Sequence, residues 1–360
     1  MGTGPRNVKG SQKYGQAGPS KGLYTASSFS HLNIPKKLKE ALADNANHSV
    51  CIQAWSSYST AGKMFNTCAD QLNLPTTYPV ATDTILCFVA WLADKGTAAG
   101  TISGYLSGLR KIHSTKGIDA PNLRPDVVKD ILQGLRHKEY FKMKKSIKRM
   151  PITPEILDLF ALELKSSSLN TTDRLMMWAI ATIAFYGCFR MGELLCSKSS
   201  TYDSLTDLRR KDIKIVKQGS TSCLAITLKH AKSFKGATEL IHVWGTGGRH
   251  CPVRAYKKYK AKTSHLSPRL PAFTDLDSKP MTKSRFAKIM RGLLALSLGD
   301  IAKKFSCHSF RAGIPSLLAN RGFSDEEIKT VGRWSSRAWK CYSKLPRVTR
   351  MRMAKKVRKF

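Results

Sequence analysis

The C-terminal third of the chain carries Cys307-His308-Ser309-Phe310-Arg311-Ala312-Gly313, then Gly332-Arg333-Trp334, then Cys341-Tyr342. His308 and Arg311 are three residues apart, so on a helix they share one face. Upstream, Phe189-Arg190-Met191-Gly192-Glu193 supplies a second arginine. A phosphodiester is already anionic. Cleaving it requires neutralised charge, an aimed nucleophile and a proton for the leaving oxygen. Arg190 and Arg311 each offer a fork to the non-bridging oxygens. His308, near a helix N-terminus, can share a proton. Trp334 adds an indole N–H that can only donate. Tyr342 supplies a phenol oxygen to attack phosphorus and leave a 3′-phosphotyrosine. Lys232, on a turn, is the candidate general acid for the 5′ oxygen, with Lys229 and Lys235 as close rivals. Glu193, three after Arg190, is placed to orient the site. Each residue type is commonplace alone; the order of the groups along the chain points to strand cleavage and rejoining.

The balance of charge agrees with such a substrate. The chain has 360 residues with 61 Lys and Arg against 24 Asp and Glu, a formal charge of +37. A field of that sign favours a polyanion, and phosphate contacts dominate nucleic-acid affinity. Nine cysteines, without Cys-x-x-Cys pairing, point to reduced thiols. No window approaches the roughly 20 apolar residues of a membrane span, and no signal peptide is evident. A soluble intracellular protein without a membrane partner is expected. His242, His250 and Cys251 lack a fourth ligand at a suitable spacing, so no metal is expected. The absence of a Gly-x-x-x-x-Gly-Lys-Ser/Thr loop argues against ATP.

Residues 1–28, rich in Gly, Ser, Lys and Pro, read as a disordered basic tail. Residues 29–137 read as a compact bundle of four short helices, over 57–72, 82–96, 101–114 and 125–135, with Arg110 and Lys111 as DNA contacts on the third. Residues 138–150 read as a basic linker. Lys142, Lys144, Lys145, Lys148 and Arg149 would lie along phosphates there, although lysine runs are often only solvated. A catalytic domain is expected over 151–346, with helices from Pro154 to Leu164 and Thr172 to Tyr186. Three strands follow, over 211–216, 224–228 and 238–244, and helices resume at 252–262, 283–296 and 308–321. A capping box opens at Ser324. Residues 347–360 form a basic tail. The fold class is mainly α with a small antiparallel β-sheet.

The set Arg190, Lys232, His308, Arg311, Trp334 and Tyr342 resembles the catalytic set of the tyrosine recombinases, or phage-type integrases. Phe185-Tyr186-Gly187-Cys188-Phe189-Arg190-Met191-Gly192-Glu193, Cys251-Pro252-Val253-Arg254-Ala255 and Gly332-Arg333-Trp334-Ser335-Ser336 resemble the eukaryotic mobile-element branch, the cryptons and the DIRS- and Ngaro-type recombinases. Ala231-Lys232-Ser233 sits where that family carries its hairpin lysine, which favours Lys232 over its neighbours. The resemblance implies a helical core-binding domain (SAM-like) and a catalytic domain forming a C-shaped clamp on double-stranded DNA. It further implies a homo-oligomer, tetrameric on DNA and a dimer or monomer when free, and exchange through a Holliday junction without cofactor, in the nucleus. Tryptophan stands where many members carry histidine, and its spacing to the tyrosine is one shorter than in many bacterial members. Two rivals stay open: a type IB topoisomerase-like relaxing enzyme, and a domesticated DNA-binding protein with an idle site.

Overall fold

The computed structural model describes residues 24–49, 52–120, 123–142, 149–196, 200, 202–204, 206–229 and 238–334. Contacts divide the chain into two compact units, Met1–Ser146 and Ile147–Phe360. No helix among the described residues is long and apolar enough to cross a membrane.

Among its described residues the first unit holds five α-helices: α1 (Lys36–Asn47), α2 (Ile52–Leu72), α3 (Thr82–Asp94), α4 (Ala99–Thr115) and α5 (Asp126–Lys142). Apolar residues at three- and four-residue steps on α2 to α5 close one core. Phe65 and Cys68, Ile85, Phe88 and Leu92, Ile102, Leu106 and Leu109, and Val128 and Leu132 are buried together there. Three boundaries differ from the sequence reading. α1 is an added helix; of its residues only Ala43 is buried, so it adds little to the core. Tyr24, placed in the basic tail by the sequence reading, makes defined contacts. Tyr24 exchanges hydrogen bonds with Asn47 at 3.0 and 2.9 Å and packs against Phe29 and Trp55. α5 runs to Lys142, into the expected linker, where the Glu139 carboxylate accepts from the Ala99 N–H at 2.6 Å. That bond satisfies an orphan donor at the start of α4.

The second unit is built around α7 (Thr171–Tyr186), which is mostly apolar and buried on nearly every side. Asn170 caps it by accepting from the Asp173 N–H at 2.8 Å. α6 (Pro154–Ser166) precedes it, with Thr153 as N-cap and Pro154 in the first turn. After α7 come the single turn α8 (Met191–Leu194) and the strands β1 (Ile213–Gln218), β2 (Thr221–Leu228) and β3 (Glu239–Trp244). They form an antiparallel sheet in the order β1-β2-β3, with Ile226 opposite both Ile213 and Ile241. Leu224, Ile226 and Leu228 turn into the core with Ile241 and Val243, as period-two alternation requires. α9 (Pro252–Lys262), α10 (Lys283–Leu298), α11 (Cys307–Arg321) and α12 (Asp325–Gly332) complete the unit. The architecture is mainly helical with a small antiparallel sheet, as the sequence predicts.

Candidate active site

Two turns and one buried arginine set the geometry. α7 ends at Tyr186, and the chain reverses through Gly187-Cys188-Phe189. A Cβ on Gly187 would fall 2.3 Å from the Phe189 ring, so the reversal needs glycine. Cys188 takes a left-handed φ of +48°. Its thiol is sealed in, and burial pushes it up to about 12, which keeps it inert. The reversal buries Phe189 and delivers Arg190 to the N-cap of α8. There the Arg190 N–H donates to Glu193 Oε2 at 2.9 Å, and Arg190 Nη1 donates to Glu193 Oε1 at 2.9 Å. Glu193 is nearly enclosed, whereas a third of the Arg190 side chain stays exposed (7% against 32%).

α11 starts at a capping box in which the Ser306 N–H donates to Ser309 Oγ at 3.0 Å. Gly313 lets this helix lie close to α7. A Cβ there would fall 2.4 Å from the Phe185 ring and 2.6 Å from the Ile152 carbonyl oxygen. That approach buries Arg311 to 1% exposure. Its guanidinium bridges two backbone carbonyls, donating from Nη1 to Cys188 O and from Nη2 to Gly332 O, the latter at 3.1 Å. One flat group thus ties the turn after α7 to the end of α12. The Trp334 ring lies 4.6 Å from the guanidinium carbon, a cation–π contact. Burial, and then the neighbouring Arg190, push Arg311 down to about 10, so it is still charged at neutral pH.

His308 stands on the first turn of α11, with its surface open to solvent. Partial burial, followed by the positive charges of Arg311 and Arg190, holds its imidazole below the ordinary histidine value. Two guanidinium groups and one imidazole therefore bear on one another across two separated segments. Glu193 offsets part of the repulsion at Arg190, and a phosphate among them would offset more.

Arg333 was not singled out in the sequence. It ends α12 in the left-handed conformation, at φ +56°. Its Nη2 meets Glu193 Oε2 at 3.1 Å, its Nη1 meets Glu239 Oε2 at 3.3 Å, and its guanidinium packs over Phe189 at 4.7 Å. The turn it makes swings Trp334 back over Gly332, where ring atoms leave no room for a Cβ. The only signal in the sequence was its place between Gly332 and Trp334, inside a motif read for the tryptophan.

Among the sequence candidates, Arg190, Glu193, His308, Arg311 and Trp334 are brought together. Lys232 and Tyr342 lie outside the described residues, as do Lys144, Lys145 and Lys148 and the side chain of Lys142. Lys229, the rival to Lys232, is enclosed. Its ammonium pairs with Asp212 at 3.0 Å and donates to the Ser204 and Asp207 carbonyls at 2.8 and 3.1 Å. Arg110 is exposed on α4. Lys111 lies over the rings of Tyr24 and Trp55, at 5.0 and 5.6 Å. Arg149 donates to the Lys303 carbonyl at 3.0 Å. His250 is engaged by Asp158 at 2.6 Å and packs on Trp178.

No protein-family model and no curated protein matches this sequence. Solved structures do match in fold. The XerH site-specific recombinase bound to palindromic difH substrate, in a post-cleavage complex, gives a TM-score of 0.58 at 12% identity, over 90% of this chain and 85% of that one. The Tn1549 transposon integrase in complex with transposon right-end DNA gives 0.56 at 12% identity, over 86% and 94%. A lambda integrase dimer bound to a COC′ core site gives 0.53 at 14% identity, over 85% and 93%. At such identities the likeness establishes the fold: this chain has the fold of the tyrosine recombinases and integrases.

Proposed function

We propose that the chain is a DNA strand-exchange enzyme that cuts and rejoins duplex DNA through Tyr342, as the recombinase of a eukaryotic mobile element. The observation that carries this reading is the convergence of Arg190, His308 and Arg311, within a fold shared with recombinases solved on DNA. Arg311 is anchored by two carbonyls before any substrate arrives, so its charge needs no reorganisation when charge develops on the phosphoryl oxygens. Arg190 presents its guanidinium from a helix N-cap whose carboxylate partner, Glu193, is itself fixed. A phosphodiester entering this field offsets the mutual repulsion of the cations. It also restores proton affinity to His308, fitting that ring to accept the phenol proton.

In the proposed step the Tyr342 oxygen bonds to phosphorus while the bond from phosphorus to the 5′ oxygen breaks. The phenol proton passes to His308, and Lys232 protonates the departing 5′ oxygen. The phosphotyrosine conserves the bond energy, and a 5′ hydroxyl reverses the step by attacking it and releasing the tyrosine. Paired exchanges through a Holliday junction, a tetramer on DNA with the chain clamped around it, and action in the nucleus belong to the same proposal. Lys229, already held by one carboxylate and two carbonyls, is poorly suited to the acid role, which favours Lys232.

The test is covalent capture from a pool of nicked duplexes of randomised sequence, in which cleavage beside the nick lets the short 5′ fragment diffuse away. A protein–DNA adduct stable to denaturant, enriched in particular sequences, is the expected result. Adduct of unselected sequence together with relaxation of any supercoiled plasmid would indicate a topoisomerase-like enzyme. Binding without any adduct would reject the enzyme reading.

A further inference from the structure

Four charged side chains alternate in sign along one line: Arg190, Glu193, Arg333 and Glu239. Arg333 and Glu239 are each about 17% exposed and Glu193 only 7%, so three of the four are largely removed from water. They come from separate parts of the second unit. Arg190 and Glu193 belong to the turn after α7, Arg333 ends α12, and Glu239 is the first residue of β3. Arg333 touches two carboxylates. Its fork reaches Glu193 with one arm and Glu239 with the other, while Phe189 supports the face of the group.

That placement has two consequences. Glu193 Oε2 is divided between Arg333 and the Arg190 N–H, while Oε1 faces Arg190 Nη1. Arg333 thereby fixes the carboxylate that aims Arg190. Glu239, the first residue of β3, holds the other arm of the Arg333 fork at 3.3 Å and so fixes the bridge from its far side.

Resting on the strand-exchange reading above, we propose that Arg333 is a positioning residue for DNA cleavage. It bridges Glu193 and Glu239 so that the carboxylate aiming Arg190 toward the phosphate is held in place. Arg333 acts through these groups. A guanidinium is needed because an ammonium has no planar fork to span two carboxylates and stack on a ring.

The experiment uses the full chain and the duplex sequence recovered by covalent capture, nicked beside the cut, and measures single-turnover adduct formation and DNA affinity. Arg333→Met is expected to slow adduct formation about ten- to a hundredfold, the span of one charge-assisted hydrogen bond, with affinity within about twofold. Arg333→Lys, which keeps the charge and reaches one carboxylate, is expected to fall between. On a substrate with a methylphosphonate at the scissile position, one non-bridging charge is gone, so precise placement of Arg190 matters less. The Arg333→Met deficit should then shrink to about threefold, as that of Arg190→Met should. A merely destabilised variant would show the same deficit on both substrates. Should Arg333→Met fail to fold, Glu239→Gln breaks the same link from the far end and should slow cleavage several-fold, with the same methylphosphonate relief. Wild-type rates in these variants, or equal deficits on the two substrates, overturn the inference while the enzyme reading stands. Absence of adduct with wild-type protein overturns both.

Discussion

Arg311→Lys is the most informative single perturbation, because the structure separates what charge supplies from what geometry supplies. Arg311 is 1% exposed and serves the Cys188 and Gly332 carbonyls at once, with Trp334 stacked on its face. Lysine keeps the charge but cannot reproduce a planar fork, so one buried carbonyl loses its partner. That loss costs about 1–3 kcal/mol. In a folding unit of this size, residues 147–360, each kcal/mol lowers the melting temperature by about 2–4 °C. A drop of roughly 4–8 °C in calorimetry of the full chain is therefore expected for a loss of about 2 kcal/mol. On the proposed mechanism the same displaced charge also weakens one charge-assisted interaction with the phosphate, which corresponds to about 10- to 150-fold slower covalent capture. DNA affinity should hardly change, since the chain carries 61 Lys and Arg that share the polyelectrolyte contribution. A variant that melts with wild type would show that the two-carbonyl fork is not holding the turn after α7 to the end of α12. A variant that cleaves at the wild-type rate would remove Arg311 from the chemistry.

Further outcomes follow from His308 and the two lysines. Burial, Arg311 and Arg190 hold His308 below its ordinary value. The unfolded chain therefore takes up this proton first as pH falls, and stability is lost from about pH 6.5 downward through the folded value, with no such loss above it. Urea midpoints at neutral and mildly acidic pH should diverge more for wild type than for His308→Asn. A bound phosphodiester duplex should raise the imidazole titration seen by NMR. Lys229→Met should destabilise the chain by about 1–3 kcal/mol through the unpaired Ser204 and Asp207 carbonyls, yet leave the cleavage step intact in protein that remains folded. Lys232→Met should block cleavage of ordinary duplex and be restored on a substrate with sulphur at the 5′ bridging position, whose leaving thiolate needs no proton. Restoration of Lys229→Met instead would exchange the two roles.

Much of the fold is written in local pattern. α9 begins at Pro252 and ends at Lys262, as a proline in the first turn and the apolar spacing predict. The three strands follow from alternation and the turn at Gly219, which takes a φ of +60°. α1 went unread although Leu38 and Leu42 stand four apart; in the fold both are exposed and Ala43 is its one buried residue, so the helix contributes little to the core. The residue types of the candidate site, and their order, are also visible in the sequence. What holds them is not. Arg311 binds carbonyls 123 and 21 residues away, and Arg333 reaches carboxylates 140 and 94 residues away. Backbone carbonyls have no sequence signature, and one arginine among so many cations carries no mark of its partner. Lys111 shows the converse. Its place on a basic helix marks it as a phosphate contact, and nothing in the local pattern shows that aromatic rings from α2 and the segment before α1 also receive it.

The central claim is that the phenol of Tyr342 becomes the attachment point of the cut strand. Peptide mapping by mass spectrometry, after covalent capture on nicked duplex and nuclease trimming, tests it most directly. The account predicts a nucleotide-bearing peptide containing Tyr342, with the link at the 3′ phosphate, and loss of all adduct in Tyr342→Phe while DNA binding is retained. An adduct on another residue, or a Tyr342→Phe protein that still captures DNA, would contradict it.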